Sequence, residues 1–190
     1  NGVSVIDADG HVLESDAELE QYFEGSYRGH KRSGVFSIFP SLDGWPRGFV
    51  RGLEKINRTG ADNWIEFIEG SKIDAAVLYP TAGLSLGLIQ DPDWACVVAR
   101  TYNNWLHDRY CKIDPRLKGV ALLPVHDPQE AAMELRHAVK EQGMVGGLLP
   151  AVTMLNKGYG HRDFHPIYKE AQELNVPLTV HGAVSRGLGF

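Results

Sequence analysis

Short apolar runs recur along the chain at regular intervals, and stretches with helical spacing lie between them. The middle three runs are almost continuously apolar, which is typical of parallel strands that are covered on both faces. Five such strands alternating with helices indicate βαβ units, so we predict an α/β fold. The five runs occupy residues 5–11, 73–80, 119–124, 145–150 and 177–181.

Proline and acidic residues mark where most of the predicted helices begin. Pro92 and Pro128 each follow an aspartate, an order that suits the N-cap and the first position of a helix. Ser15 and Glu18 form a capping-box pattern, which predicts a short helix after the first strand. Gly143 is expected to end the helix that starts at Pro128. Helical spacing also marks residues 64–68 and 165–174.

Two α/β layouts fit this alternation, an open Rossmann-type sheet and a (β/α)8 TIM barrel. No strand is followed by the glycine-rich phosphate turn G-x-G-x-x-G that marks the Rossmann type. A complete barrel needs about 250 residues, whereas this chain has 190. We therefore expect one partial domain over residues 1–190, with a fold of the (β/α)8 TIM-barrel type that is truncated after strand five.

A long irregular stretch interrupts the pattern at about residues 25–60. It contains several aromatic and arginine side chains, among them Trp45 and Arg47. Long loops inside compact domains are often lids or binding loops, and arginine binds carboxylates through two parallel hydrogen bonds. We predict a loop or lid insertion in which Trp45 and Arg47 contact the substrate. The alternative is a small subdomain that uses the aromatic side chains as its own core.

Composition excludes two classes of partner. The net charge is −5 and no basic run occurs, so we expect no nucleic-acid binding. The most apolar region, residues 75–89, is interrupted by proline and glycine, so we expect no membrane span. Cys96 and Cys111 lie along one predicted helix, and their spacing indicates reduced thiols. Reduced thiols favour a cytoplasmic protein.

The first strand ends in alternating carboxylates and a histidine. Asp9 and His11 are two residues apart, so a strand directs both side chains to the same face. A strand that reaches water also ends in polar residues, and an Asp-x-His triplet alone is a weak signal. His181 ends the fifth predicted strand in a similar context. The three side chains are candidate ligands of one divalent metal, Zn²⁺ or Mn²⁺.

Several short segments, in this order and spacing, resemble the amidohydrolase-related family, in the branch that contains aminocarboxymuconate-semialdehyde decarboxylase and related aromatic-acid decarboxylases. The likeness covers most of the chain outside residues 25–60. Each segment alone is a weak signal, and their order makes the match fairly specific. The segments are 6–11 (IDADGH), 78–80 (LYP), 122–124 (LLP), 166–168 (PIY) and 177–182 (PLTVHG).

The resemblance assigns a metal site to the carboxyl ends of the strands. Asp9 and His11 match the strand-one ligands, with Asp where many members have His, and His181 matches the strand-five ligand. The family also uses a strand-six His that assists catalysis and a strand-eight Asp that completes the site. Neither matches a position of this sequence, so we expect both beyond residue 190 and assign no catalytic residue here.

Three further residues are candidates for contact with the substrate. Tyr79 and His126 lie at or just past strand ends, on the face where barrel enzymes bind substrate. Glu14 follows His11 by three residues and is a candidate for substrate contact or for supporting a metal ligand. The alternatives are a surface residue for Glu14 and an ordinary loop histidine for His126. Asp7 is expected to be a structural, hydrogen-bonded carboxylate.

The resemblance implies a metal-dependent hydrolase in which a metal-activated water acts on a small carboxylated or cyclic substrate. A non-oxidative, metal-dependent decarboxylase on the same scaffold is the alternative, because the family contains both. A third interpretation is a catalytically incomplete barrel fragment with a binding role. Metal content separates the third from the first two, and release of carbon dioxide separates the decarboxylase from the hydrolase.

The expected truncation generates a first test. Residues 1–190 alone would leave apolar edges uncovered at the first and fifth strands, and would lack the strand-six His and the strand-eight Asp. We expect this chain to show little or no turnover and to be poorly soluble or a homo-oligomer. Adding the residues of strands six to eight should restore activity. Metal-dependent turnover by a purified monomer of this chain, measured at steady state, would contradict the expectation.

Overall fold

The computed structural model describes residues 3–29, 37–41 and 60–182. In these residues five parallel strands follow one another across the sheet in chain order. Sequential order is that of a barrel wall, whereas a Rossmann sheet reverses its strand order part-way. These five strands confirm the predicted TIM-barrel type over the described residues. The strands are β1 Ile6–His11, β2 Ala75–Tyr79, β3 Leu117–Leu122, β4 Gly146–Pro150 and β5 Leu178–His181.

Helices connect the strands as predicted. The described α-helices are α1 Asp16–Leu19, α2 Ala61–Ser71, α3 Pro92–Leu106, α4 Pro128–Gln142 and α5 His165–Leu174. Short 3₁₀ turns occupy Glu20–Tyr22, Gly25–Tyr27, Ala82–Leu88 and Arg162–Phe164, and a π turn, His107–Cys111, extends α3. Among the described residues, no helix combines the length and apolar character needed to cross a membrane.

The predicted helix boundaries are confirmed where a side chain or glycine sets them locally. Asp91 accepts a hydrogen bond from the Trp94 N–H at the start of α3. Asp127 caps α4 in the same way, and Gly143 ends α4 in the left-handed conformation with a φ of 69°. These signals act within one helical turn, so the sequence predicts them well.

The predicted capping box before α1 is wrong. Ser15 occupies the N-cap, but its side chain makes no capping hydrogen bond. The carboxylate of Glu18 instead accepts hydrogen bonds from Trp105 Nε1 at 2.9 Å and from Arg109 at 3.1 Å. The Glu18 carboxylate therefore binds side chains on α3 and the π turn, and does not complete the capping box that the local pattern predicted.

Part of the 25–60 stretch belongs to the main hydrophobic core. Ile38 and Phe39 are buried, and the Phe39 ring packs edge-on against Tyr102 of α3, with centroids 6.4 Å apart. The Ile38 N–H donates to Asp16 Oδ2 at 3.0 Å. This short piece therefore stabilises the common core. Most of residues 25–60 lie outside the described residues, so the predicted loop or lid insertion stays a prediction.

The side chain of Asn103 takes the place of a neighbouring strand beside β3. β2 pairs with β3 only along residues 117–119. Further along, the Leu122 N–H donates to Asn103 Oδ1 at 2.8 Å, and Asn103 Nδ2 donates to the Leu122 carbonyl at 3.1 Å. Asn103 is fully buried, and its Nδ2 also donates to Glu134 at 2.7 Å. One amide thus satisfies both backbone groups where the strands stop pairing.

Both cysteines are free, as predicted. Cys96 lies in α3 and Cys111 ends the π turn, and both are partly buried. Burial raises the pKa of the Cys96 thiol to about 12 and that of the Cys111 thiol to about 11. Because the thiolate is the reactive form, neither side chain behaves as a nucleophile near neutral pH.

Gly10 is the point where β1 lies closest to α2, and it gives a stability prediction. A Cβ at Gly10 would come within 2.7 Å of Trp64 Cη2 and 3.1 Å of the Val77 carbonyl oxygen. We expect Gly10→Ala to lower the free energy of unfolding by about 1–3 kcal/mol in urea titrations. Gly70→Ala is the matched control, because nothing lies within 4 Å of its Cβ and alanine favours a helix. Equal effects of the two changes would contradict the close contact.

Candidate metal centre

The carboxyl end of β1 carries two of the predicted ligands to the inner face of the sheet. Gly10 faces Trp64 of α2, so its neighbours Asp9 and His11 point to the opposite side. The pairing of β1 with β2 is irregular between Asp7 and Gly10, and the Asp9 N–H donates to Asp7 Oδ1 at 3.1 Å. Asp7 is a hydrogen-bonded structural carboxylate, as the sequence predicted.

The structure brings Asp9, His11 and His181 together. His181 Nε2 lies 3.1 Å from His11 Nε2 and 3.1 Å from Asp9 Oδ1, and His11 Nε2 lies 3.7 Å from Asp9 Oδ1. Among residues 3–29, 37–41 and 60–182, this is the one group of three such ligand atoms within 4.8 Å of one another. Between the end of β1 at His11 and the start of β5 at Leu178 lie 166 residues of sequence.

Backbone carbonyls fix the orientation of both imidazoles. His11 Nδ1 lies 2.8 Å from the Pro80 carbonyl oxygen, and His181 Nδ1 lies 2.9 Å from that of Gly182. A carbonyl oxygen only accepts hydrogen bonds, so each Nδ1 carries the proton and donates it. Each neutral ring then presents an Nε2 lone pair to the other ring and to the Asp9 carboxylate.

The donor set fits a divalent metal. Two lone pairs and a carboxylate oxygen repel one another at these distances unless a proton or a cation lies among them. Ligands bound about 2.0–2.2 Å from one ion lie about 3–3.5 Å from each other. The spacings of 3.1, 3.1 and 3.7 Å are close to that range. The Asp9 side chain is 74% exposed, so the group is open to solvent on that side.

Tyr79 lies beside both imidazoles. It pairs with His11 across β1 and β2, and it is buried. Its ring centroid is 6.3 Å from that of His11 and 5.7 Å from that of His181. The sequence placed Tyr79 near the substrate pocket, and the structure places it against the candidate metal ligands. Its predicted contact with substrate stays a prediction.

The Glu14 carboxylate points away from the three ligands and into the loop after β2. It accepts hydrogen bonds from the backbone N–H groups of Thr81 at 3.1 Å, Ala82 at 2.9 Å and Gly83 at 2.8 Å. Burial raises the pKa of Glu14, and these N–H groups offset part of the rise. The carboxylate is therefore held by backbone donors at the end of β2. Its predicted contact with substrate stays a prediction.

His126 holds the other end of the same loop. Its Nε2 donates to the Ile89 carbonyl oxygen at 2.9 Å, and its buried Nδ1 has no hydrogen-bond partner among the described residues. Burial lowers the pKa of His126, which favours the neutral ring. Its predicted substrate contact also stays a prediction. Trp45 and Arg47 lie outside the described residues.

Residue type carries no signal for the backbone groups of this site. The carbonyl of Pro80 and the N–H groups of residues 81–83 act through the main chain, so side-chain type does not reveal them. The Leu-Tyr-Pro segment marked the end of β2, and only the fold shows that its last carbonyl faces His11.

The sequence matches the family model described as Amidohydrolase over residues 6–189. The chain belongs to this amidohydrolase family. The resemblance drawn from short segments is thereby confirmed, and the match spans both β1 and β5, which hold the candidate ligands.

Curated relatives carry the name gamma-resorcylate decarboxylase. The protein from Polaromonas sp. (strain JS666) is 35% identical over 98 residues, which cover 49% of this chain and 30% of the relative. The protein from Rhodococcus jostii (strain RHA1) is 33% identical over 101 residues, which cover 49% of this chain and 31% of the relative. The matches thus span about a third of the length of these relatives.

Solved structures share the fold of this amidohydrolase-family chain over almost all of its length. A 2,6-dihydroxybenzoate decarboxylase from Rhizobium superposes with a TM-score of 0.69 at 20% identity, covering 95% of this chain and 50% of that chain. A dihydroxybenzoic acid decarboxylase from Polaromonas sp. JS666, with bound manganese and the inhibitor 2-nitroresorcinol, gives 0.71 at 22% identity, covering 95% and 49%. This chain therefore corresponds to about half of each neighbour.

The geometry predicts that His181 is needed for metal binding. We expect His181→Ala to weaken Mn²⁺ and Zn²⁺ binding by at least about 100-fold in calorimetric titrations, because loss of a supporting partner alone costs about 10- to 100-fold. His137→Ala on α4 is the control, since His137 does not belong to the group. Unchanged affinity in His181→Ala, or an equal loss in the control, would contradict the assignment.

Proposed function

We propose that the whole protein is a metal-dependent, non-oxidative decarboxylase of hydroxylated aromatic carboxylates. The observation that carries the proposal is the meeting of two Nε2 lone pairs and the Asp9 carboxylate at 3.1 to 3.7 Å. A donor set of one oxygen and two imidazole nitrogens suits Mn²⁺ and Zn²⁺ alike. The manganese in the dihydroxybenzoic acid decarboxylase neighbour supports the first of these.

The relatives favour decarboxylation over hydrolysis. The hydrolase interpretation of the sequence is not confirmed, whereas the decarboxylase alternative agrees with the names of the curated relatives and of several solved neighbours. Those proteins act on, or are named for, benzoates with hydroxyl groups beside the carboxylate. We therefore propose the same substrate class for this protein.

The reaction replaces a ring–carboxylate bond with a ring–hydrogen bond and releases carbon dioxide. The electron pair of the broken bond stays on the ring carbon, which takes up a proton. A bound divalent ion would hold the substrate oxygens and reduce the cost of negative charge on them. His11 and His181 present Nε2 toward that position, and their Nδ1 bonds to carbonyls keep both rings fixed.

Asp9 and Tyr79 also contribute to the proposed metal site. The Asp9 carboxylate adds negative charge, which strengthens cation binding and lowers the net charge of a filled site. Tyr79 covers the imidazoles from the side of β2. The family resemblance assigns assistance in catalysis to a strand-six His and proton transfer to a strand-eight Asp, and neither matches a position of this sequence.

Assembly and location follow from weaker signals. We propose a homo-oligomer, as expected from the sequence. The free, protonated thiols of Cys96 and Cys111 agree with a cytoplasmic location.

Carboxyl-labelled 2,6-dihydroxybenzoate tests the proposed reaction in the whole protein. We expect labelled carbon dioxide to be released with Mn²⁺ present, release to stop on chelation, and readdition of Mn²⁺ to restore it. His181→Ala should lose at least about 100-fold of this activity, whereas His137→Ala should keep it.

Two outcomes would overturn the proposal. Cleavage of an ester, amide or lactone with no release of carbon dioxide from any hydroxybenzoate would favour the hydrolase. Binding of 2,6-dihydroxybenzoate with no turnover in the metal-loaded whole protein would favour the binding role.

A further inference from the structure

One peptide group lies between a buried carboxylate and a candidate metal ligand. The carbonyl of the Pro80–Thr81 peptide accepts the His11 Nδ1–H at 2.8 Å. The N–H of the same peptide donates to Glu14, at 3.1 Å to Oε1 and 3.2 Å to Oε2. Glu14, the peptide and His11 therefore form one continuous line of hydrogen bonds that ends at His11 Nε2.

The surroundings of Glu14 suit a negative charge. Its carboxylate is partly buried, and the described groups that hydrogen-bond to it are successive backbone N–H donors at Thr81, Ala82 and Gly83. These donors also form the start of the 3₁₀ turn Ala82–Leu88. A protonated carboxyl would direct its O–H at N–H groups, which cannot accept it. Hydrogen bonds from neutral donors to an ionised acceptor are stronger than neutral pairs.

From this geometry we infer that Glu14 is a positioning residue that acts on His11 through the Pro80–Thr81 peptide. The inference rests on the proposed metal centre. Negative charge at the N–H end of a peptide pushes electron density toward its carbonyl oxygen, so the Pro80 carbonyl becomes a stronger acceptor. The His11 Nδ1–H bond strengthens, and Nε2 becomes a more basic and better oriented ligand.

Among the residues that the structure describes, no other contact of His11 Nδ1 competes with this one. Thr81 Oγ1 lies 3.5 Å from His11 Nδ1, which is too long for a strong hydrogen bond. The ring also packs against Tyr79 and His181 without a polar contact to Tyr79. The Pro80 carbonyl is therefore the partner that sets the tautomer and orientation of His11.

A purely structural role for Glu14 would predict something different. In that case the carboxylate only anchors the start of the 3₁₀ turn, and loosening the turn elsewhere should affect His11 equally. Ser85 provides this comparison, because it is buried and its Oγ donates to the Ala82 carbonyl at 2.8 Å within the same turn. Ser85→Ala removes that bond and leaves the Pro80–Thr81 peptide and Glu14 intact.

Metal titration of the whole protein is the first measurement. Glu14→Gln keeps the shape and removes the charge, and it turns an amide N–H toward backbone N–H groups. We expect it to weaken Mn²⁺ and Zn²⁺ binding by about 10- to 100-fold, and Ser85→Ala to change binding by less than about threefold. Glu14→Asp keeps the charge at a shorter reach, so its affinity should fall between those of wild type and Glu14→Gln.

Nitrogen-15 and proton spectra of the metal-free protein are the second measurement. A weaker Nδ1–H bond should shift the His11 imidazole proton upfield in Glu14→Gln but not in Ser85→Ala. If Glu14→Gln does not fold, the same comparison uses Glu14→Asp.

The outcomes distinguish failure of the proposed metal centre from failure of the proposed role of Glu14. Wild-type protein that binds neither Mn²⁺ nor Zn²⁺ would refute the metal centre, and the imidazole proton shift would still decide the role of Glu14. Unchanged affinity and an unchanged proton shift in the Glu14 variants would refute the inference while leaving the metal centre intact. Equal effects in Glu14→Gln and Ser85→Ala would show a structural anchor only.

Discussion

Curvature of the parallel sheet is the constraint on which the rest of this structure depends. Neighbouring strands lie about 4.8 Å apart, so the first and fifth strands of a flat sheet would be about 19 Å apart. Two histidine side chains could not meet across that gap, yet His11 Nε2 and His181 Nε2 lie 3.1 Å apart. The half-barrel curl brings the carboxyl ends of β1 and β5 to one point. A group of candidate metal ligands that neither strand could form alone therefore assembles there.

Much of the fold could be predicted from the sequence because its signals are local. Asp91 and Asp127 act within one turn of the helices that they cap, and Gly143 ends α4 through its own backbone conformation. Nearly continuous apolar strands are typical of parallel sheets, so the composition of the strands predicts the parallel architecture. The candidate ligands Asp9 and His11 were predictable for the same reason, since the period of a strand places them on one face. His181 required the additional step of joining two strand ends in a barrel.

The rest depends on partners distant in sequence, for which residue type gives no signal. Glu18 matches a capping box, but Trp105 and Arg109 bind its carboxylate instead. Phe39 resembles a lid aromatic, but it packs in the common core against Tyr102. Asn103 substitutes for a strand through its side-chain amide, a role that only the end of β2–β3 pairing reveals. For Glu18, tertiary geometry overrides a reasonable local interpretation.

Glu14 shows why stability and site chemistry are coupled in this half-barrel. Burying a carboxylate is costly unless charge-assisted hydrogen bonds satisfy it. Here the donors are the N–H groups of residues 81–83, and the Thr81 N–H shares its peptide with the Pro80 carbonyl that holds His11. The contact that offsets the cost of burial is therefore also the contact that orients the ligand. A neutral residue at position 14 could relieve the buried charge, but it would leave the backbone donors unsatisfied and His11 less firmly held.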